Sequence, residues 1–136
     1  MSILVVGGGS IGRRHLKNLN EITKDELFCF KRTFDAKFEN EYNCKVITSI
    51  KDIRSLSPKT ILVCNPSSMH AEWIKIASEM KSNLFMEKPL ITSEKQLTYV
   101  QNTWQDQNVF FIGFMLRYHP AVKKIKYLID NKKIGD

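Results

Sequence analysis

Lys88 stands between Glu87 and Pro89 where a short apolar run ends, and it is the side chain best suited to acid–base chemistry. An ammonium placed there can hydrogen-bond a substrate hydroxyl and assist its proton transfer. Burial would lower its pKa, whereas the adjacent carboxylate raises it. Near the start, Gly7, Gly9 and Gly12 fit G-x-G-x-x-G, directly after the apolar run from Ile3 to Val6 and directly before a helical pattern. In that setting the string describes a dinucleotide-binding loop. Gly7 permits the tight turn out of the strand, Gly9 lets a pyrophosphate approach the backbone, and Gly12 lets the helix pack closely on the sheet. The N–H groups of the first helical turn, at Ser10 and Ile11, face the phosphates with the positive end of the helix dipole behind them.

The adenosine ribose should be read about twenty residues after the glycine loop, at the end of the second strand. Phe30, Lys31, Arg32 and Thr33 occupy that place, with no acidic residue before Asp35. Arg32 offers a planar fork of donors suited to a 2′-phosphate, and Thr33 adds a hydroxyl. Strand alternation puts Lys31 and Arg32 on opposite faces, so one of them reaches the ligand. The expected cofactor is therefore NADP; the alternative is NAD, with Asp35 curling back to the ribose. Further groups fall where strands end: Asn65, Pro66 and His70, and then Arg117 and His119. Arg117 and His119 suit an anionic or polyhydroxyl substrate, the competing reading being that Arg117 braces a domain junction. No metal site is expected, because the histidines and cysteines show no ligand pair at useful spacing. A serine nucleophile is not expected either, since G-x-S-x-G is missing.

These residues need strand ends and helix starts to hold them, and the chain alternates the two patterns throughout. Strands are expected at 3–6, 27–30, 45–48, 60–64, 84–86 and 109–114. Helices are expected at 10–22, around 50–55, at 68–80, from Thr92-Ser93-Glu94 through Trp104, and from His119-Pro120 to near Lys133. Residues 33–43 read as a short helix or loop holding Phe34 and Phe38. Ile11, Leu16 and Leu19 form the expected inner face of the first helix, and Ile74, Ala77 and either Trp73 or Met80 that of the fourth. Such alternation describes an α/β fold, a Rossmann-type doubly wound parallel sheet, in a single dinucleotide-binding domain over residues 1–136.

Composition fits that class: 43% hydrophobic and 26% charged residues over 136 positions. The longest apolar runs are strand-length, so no membrane partner is expected. Met1-Ser2 leads straight into a strand with no basic leader, and Cys29, Cys44 and Cys64 read as thiols in a reducing cytoplasm. The net charge of +7 attracts anions. Its C-terminal share, Lys123, Lys124, Lys126, Lys132 and Lys133, alternates with Ile125, Leu128 and Ile129 at helical spacing, which describes a solvated helix face. Nucleic acid is not an expected partner, because a basic stripe alone lacks the module that binding requires.

Taken together, the glycine loop, N-P-x-x-x-H at 65–70, E-K-P at 87–89 and G-F-x-x-R-x-x-P at 113–120 resemble the glucose–fructose oxidoreductase / inositol dehydrogenase / MocA family of NAD(P)-dependent oxidoreductases. The resemblance covers essentially the whole chain. It implies a hydride transfer between a nicotinamide and a sugar, cyclitol or related polyol. It also implies that Lys88, beside Glu87, serves the reacting hydroxyl near the nicotinamide. Asn65 and Pro66 would line the nicotinamide–ribose side, and His70 would belong to the cofactor site. His15 matches the family pattern too, in what reads as a structural role. Members normally continue into a second, mixed α/β domain carrying much of the substrate pocket, so this chain is expected to be that family's N-terminal domain only. It is either a truncated product or a natural single domain. The alternative function is a stand-alone NAD(P)-binding module without turnover. Apolar residues from the sixth strand to Tyr118 would lie open without a second domain, which implies a homo-oligomer.

Overall fold

Strands buried on both faces read as unbroken apolar runs, and here those runs are the middle of a parallel sheet. The computed structural model describes residues 1–104 and 108–135. In chain order the elements are β1 (Ser2–Val6), α1 (Ser10–Ile22), β2 (Glu26–Phe30), α2 (Ala36–Tyr42), β3 (Lys45–Ile47), α3 (Ile50–Leu56) and β4 (Thr60–Val63). There follow α4 (His70–Glu79), β5 (Asn83–Met86), α5 (Glu94–Thr103), β6 (Phe110–Ile112) and α6 (Pro120–Asp130). Short 3-10 turns at Ser67–Met69 and Met115–Tyr118 lead into α4 and α6. Most expected bounds move by a residue or two, the larger changes being a shorter β6 and a last helix that ends at Asp130 instead of near Lys133.

All six strands run parallel in the order β3-β2-β1-β4-β5-β6, so the chain reverses its direction of travel between β1 and β4. One face of the sheet packs Ile3, Val5, Cys29 and Leu62 against Leu16 of α1 and Phe38 and Tyr42 of α2. The other packs Leu4, Val6, Ile61, Val63 and Met86 against Ile53, Trp73, Ile74, Ala77 and Val100 of α3, α4 and α5. On α4 it is Trp73 that turns fully inward, while Met80 is only half-buried.

One expectation about α1 is corrected. Ile11 is exposed, and the inward stripe runs Gly12, Leu16, Leu19 instead. Those positions follow the i, i+4, i+7 spacing of one helix face, and only glycine at its head allows α1 so close to the sheet. Helix starts are set locally. Asp35, Ser49 and Ser93 accept from backbone N–H groups at the beginnings of α2, α3 and α5. At α5 Gln96 closes the box by accepting from the N–H of Thr92.

Candidate cofactor and active site

Gly7 leaves β1 at φ +100°, a conformation that L side chains rarely adopt, and its N–H donates to Phe30 O at 3.1 Å. The turn delivers Gly9 as the residue before α1. No side chain caps this helix and no acidic residue stands in its first turn. The open N–H groups at Ser10, Ile11 and Gly12 thus carry the positive end of α1 to the reversal point of the sheet, where ligands of such folds gather. A Cβ built on Gly9 meets nothing within 4 Å, so the loop is bare where a phosphate would approach. A Cβ on Gly12 would fall onto the carbonyl oxygen of Gly7, which ties the last glycine of the motif to the first.

A cleft of about 420 Å³ lies over this loop, lined by Gly7–Gly9, Lys31, Arg32, Thr33, Asn65 and Pro66 among others. Its size suits a small-molecule ligand. The glycine loop, the end of β2 and the end of β4 therefore come together as the sequence predicts. Asn65 Oδ1 is buried there with no hydrogen-bond partner among the described residues. A buried acceptor left unpaired is costly, and a ligand hydroxyl or amide would satisfy it. The uncapped helix, the bare glycine and this orphaned oxygen fit a dinucleotide.

Both Lys31 and Arg32 line the cleft, which corrects the expectation that only one would reach it: β2 ends at Phe30, so strand alternation no longer governs them. The two cations are used differently. Lys31 Nζ donates to Asp35 Oδ2 at 2.7 Å and lies 3.9 Å from the centre of the Phe38 ring. Asp35 also accepts from Phe38 N at 2.9 Å as the cap of α2. The Lys31 ammonium, with help from that backbone N–H, holds the Asp35 carboxyl below the usual carboxylate range. Arg32 is exposed and has no ion pair or hydrogen bond among the described residues, although it lines the cleft. The pairing of Lys31 with Asp35 was missed in the sequence, because the two stand in the loop between β2 and α2, where a four-residue spacing implies no contact.

His70 is 1% exposed, with both ring nitrogens engaged. Nδ1 is 2.8 Å from Pro89 O and Nε2 is 3.1 Å from Asn65 O. It bridges the ends of β4 and β5, and so meets the cleft through the backbone of Asn65. Glu87 follows β5 and receives His15 Nε2 on Oε1 at 2.9 Å. Lys88 is exposed and unpaired among the described residues, and a cis peptide bond joins it to Pro89. Arg117 and His119 lie elsewhere. The Arg117 guanidinium sits 5.6 Å from the Phe114 ring centre in a groove with Val122, Lys123 and Lys126. The His119 ring accepts from Ala121 N at 3.2 Å and so caps α6.

Burial pushes the Cys29 and Cys64 thiols up to about 12 and that of Cys44 to about 11, the Glu87 carboxylate adding to the effect at Cys64. They are protonated at neutral pH and poor nucleophiles. No group of metal-ligating side chains is found among the described residues.

Comparison with known proteins agrees with this geometry. The family model GFO_IDH_MocA, an oxidoreductase family with an NAD-binding Rossmann fold, matches residues 1–114. The chain is 28% identical over 141 residues to a myo-inositol 2-dehydrogenase of Thermotoga maritima, covering 99% of this chain and 42% of that protein. It is 29% identical over 139 residues to an uncharacterized oxidoreductase of Bacillus subtilis, covering 96% of this chain and 40% of that one. Among solved structures, the scyllo-inositol dehydrogenase of Lactobacillus casei with bound NAD(H) and scyllo-inositol superposes with a TM-score of 0.87 at 23% identity, over 100% of this chain and 42% of that one. A 3-ketoreductase of Actinomadura kijaniata in complex with NADP gives 0.85 at 22% identity, over 100% of this chain and 44% of that one. These two likenesses speak to the fold. The chain spans about 40% of the length of the first relatives it matches.

Proposed function

Because the chain belongs to the Gfo/Idh/MocA oxidoreductase family through its NAD-binding Rossmann domain, we propose that it binds NADP(H) for hydride transfer on a sugar, cyclitol or related polyol. The observation that carries the cofactor reading is the cleft in which the uncapped start of α1, bare Gly9 and the orphaned Asn65 Oδ1 converge. Gly7, Gly9, Ser10, Ile11 and Gly12 hold the pyrophosphate, and Asn65 with Pro66 lines the nicotinamide–ribose side. Bound there, the nicotinamide supplies or accepts the hydride at a carbon bearing a hydroxyl. Lys88 Nζ, exposed at the strand end, holds and moves the hydroxyl proton. Glu87 and His70 keep that strand end in place. Arg117 and His119 contact the substrate in the whole protein. Turnover belongs to that whole protein, and this domain alone acts as the binding module. No helix among the described residues is long and apolar enough to cross a membrane, and three high-pKa thiols suit a reducing cytoplasm.

NADP is favoured over NAD by the way the charges at β2 are spent. Asp35, the first carboxylate in sequence after β2, is already held by Lys31 and by the start of α2. Arg32, lining the cleft without a partner among the described residues, is the cation left for a 2′-phosphate, with Thr33 beside it. A charge-assisted contact of this kind is worth about 1.5–3 kcal/mol, or roughly ten- to hundredfold in affinity. Dissociation constants for NADPH and NADH, measured by cofactor fluorescence in low salt, are expected to differ by that factor in favour of NADPH. Arg32→Ala is expected to erase most of the difference. Tighter NADH binding, or a preference untouched by the substitution, overturns the assignment.

A further inference from the structure

His15 lies on the second turn of α1, 72 positions from the carboxylate it touches. Its Nε2 donates to Glu87 Oε1, and its ring sits edge-on to Phe85 with centroids 5.2 Å apart and planes at 66°. Phe85 is in turn stacked on Phe111 of β6 at 5.6 Å. Gly113 closes the pocket from the far side. A Cβ there would come within 3.0 Å of the Phe85 ring and 3.4 Å of Glu87 Oε2. The imidazole and the carboxylate are only 15% and 16% exposed, so water and salt screen their contact far less than a surface pair. Ring packing fixes the donor on one side and a side-chain-free backbone admits the acceptor on the other.

This contact joins two parts of the molecule that no strand pairing links directly. One is the helix whose first turn carries Ser10 and Ile11 towards the phosphates. The other is the end of β5, where Glu87 immediately precedes Lys88. We propose that His15 is a positioning residue: through Glu87 it ties the phosphate-binding helix to the strand end bearing Lys88, and so sets the span between the pyrophosphate and the nicotinamide end of the site. The proposal rests on the cofactor reading given above. A ligand that reaches both ends of the site feels the tie, whereas one confined to the adenosine end does not.

The full chain is tested with two probes, NADPH and adenosine 2′,5′-bisphosphate, the latter lacking the pyrophosphate bridge and the nicotinamide. His15→Ala is expected to weaken NADPH about tenfold and the bisphosphate by less than about twofold. His15→Gln carries an amide N–H to a similar reach and is expected to recover most of the loss. Glu87→Ala is expected to match His15→Ala, with the double variant no worse than either, since both remove one contact. Hydrogen exchange without ligand forms a second arm: His15→Ala should speed exchange together at the hydrogen-bonded amides 13–17 of α1 and at the amide of Glu87, which donates to Val63 O, and His15→Gln should slow it again. Unchanged NADPH affinity in His15→Ala, equal losses for the two probes, or additive effects in the double variant overturn the proposal. If the parent chain binds neither probe, the cofactor reading has failed, and the exchange arm then decides the tie by itself: unchanged protection at both segments refutes it.

Discussion

Glycines of one motif fail in different ways when given a side chain. Gly9 borders open space, so Gly9→Val is expected to fold with a melting temperature close to that of the parent. Its branched side chain would occupy the place of the pyrophosphate, and the fluorescence response to NADPH should vanish. Gly12 has no such room, because its Cβ would meet the Gly7 carbonyl oxygen. Gly12→Ala is expected to cost about 3 kcal/mol, lowering the melting temperature by roughly 10 °C. Thermal unfolding and cofactor titration on both variants separate the two roles; a folded, binding-competent Gly12→Ala would refute the close approach. Both glycine roles were legible in the sequence, since an absent side chain is a local property. The partners of His15 and Asp35 were not, because an ionisable group's role depends on what the fold sets against it.

Among the elements, the joints at the carboxyl ends of β4 and β5 depend on a single imidazole. His70 faces two carbonyl oxygens and is almost wholly buried. A neutral ring donates to one of them and a protonated ring to both. His70→Leu keeps the volume but leaves the Asn65 and Pro89 carbonyls without this donor. The expected cost is about 2–3 kcal/mol, seen as a lower melting temperature together with weaker NADPH binding. No change in either would mean that the bridge holds nothing. The elements themselves were largely legible: alternating apolar runs, Ser93 at a helix start and Pro120 at another are signals that act within one turn. Ile11 was misread because periodicity alone did not say that Gly12, with no apolar side chain, heads the buried stripe.

At the scale of the molecule, the far side of β6 is the conspicuous surface. Phe114, Met115, Leu116 and Tyr118 are all exposed, as are Val122, Ile125 and Ile129 of α6. The basic helix expected from the sequence is present, but its apolar face is also largely exposed, only Leu128 being half-buried. Apolar surface beside an unpaired strand edge promotes association. The chain is expected to form a dimer or larger species in light scattering at tens of micromolar, and Leu116→Lys should shift it towards monomer. A monodisperse monomer at that concentration would show that the surface does not self-associate. The charge of +7 opposes association, so added salt should enlarge the species.

The order of strands and helices, the glycine loop and the position of Lys88 were determined by the sequence alone, because hydrophobic period, missing side chains and helix caps act over a few neighbouring residues. The family motifs at 65–70, 87–89 and 113–120 were equally plain as strings. Only the tertiary structure decided which of those polar groups meet. It spends Lys31 on Asp35 and leaves Arg32 unpaired among the described residues at the cleft that both line, buries His70 between two carbonyls, sets His15 on Glu87 across 72 positions, carries Arg117 to a separate groove and makes His119 the cap of α6. Such contacts form between ends of different strands, and parallel crossovers bring together residues that no local rule relates.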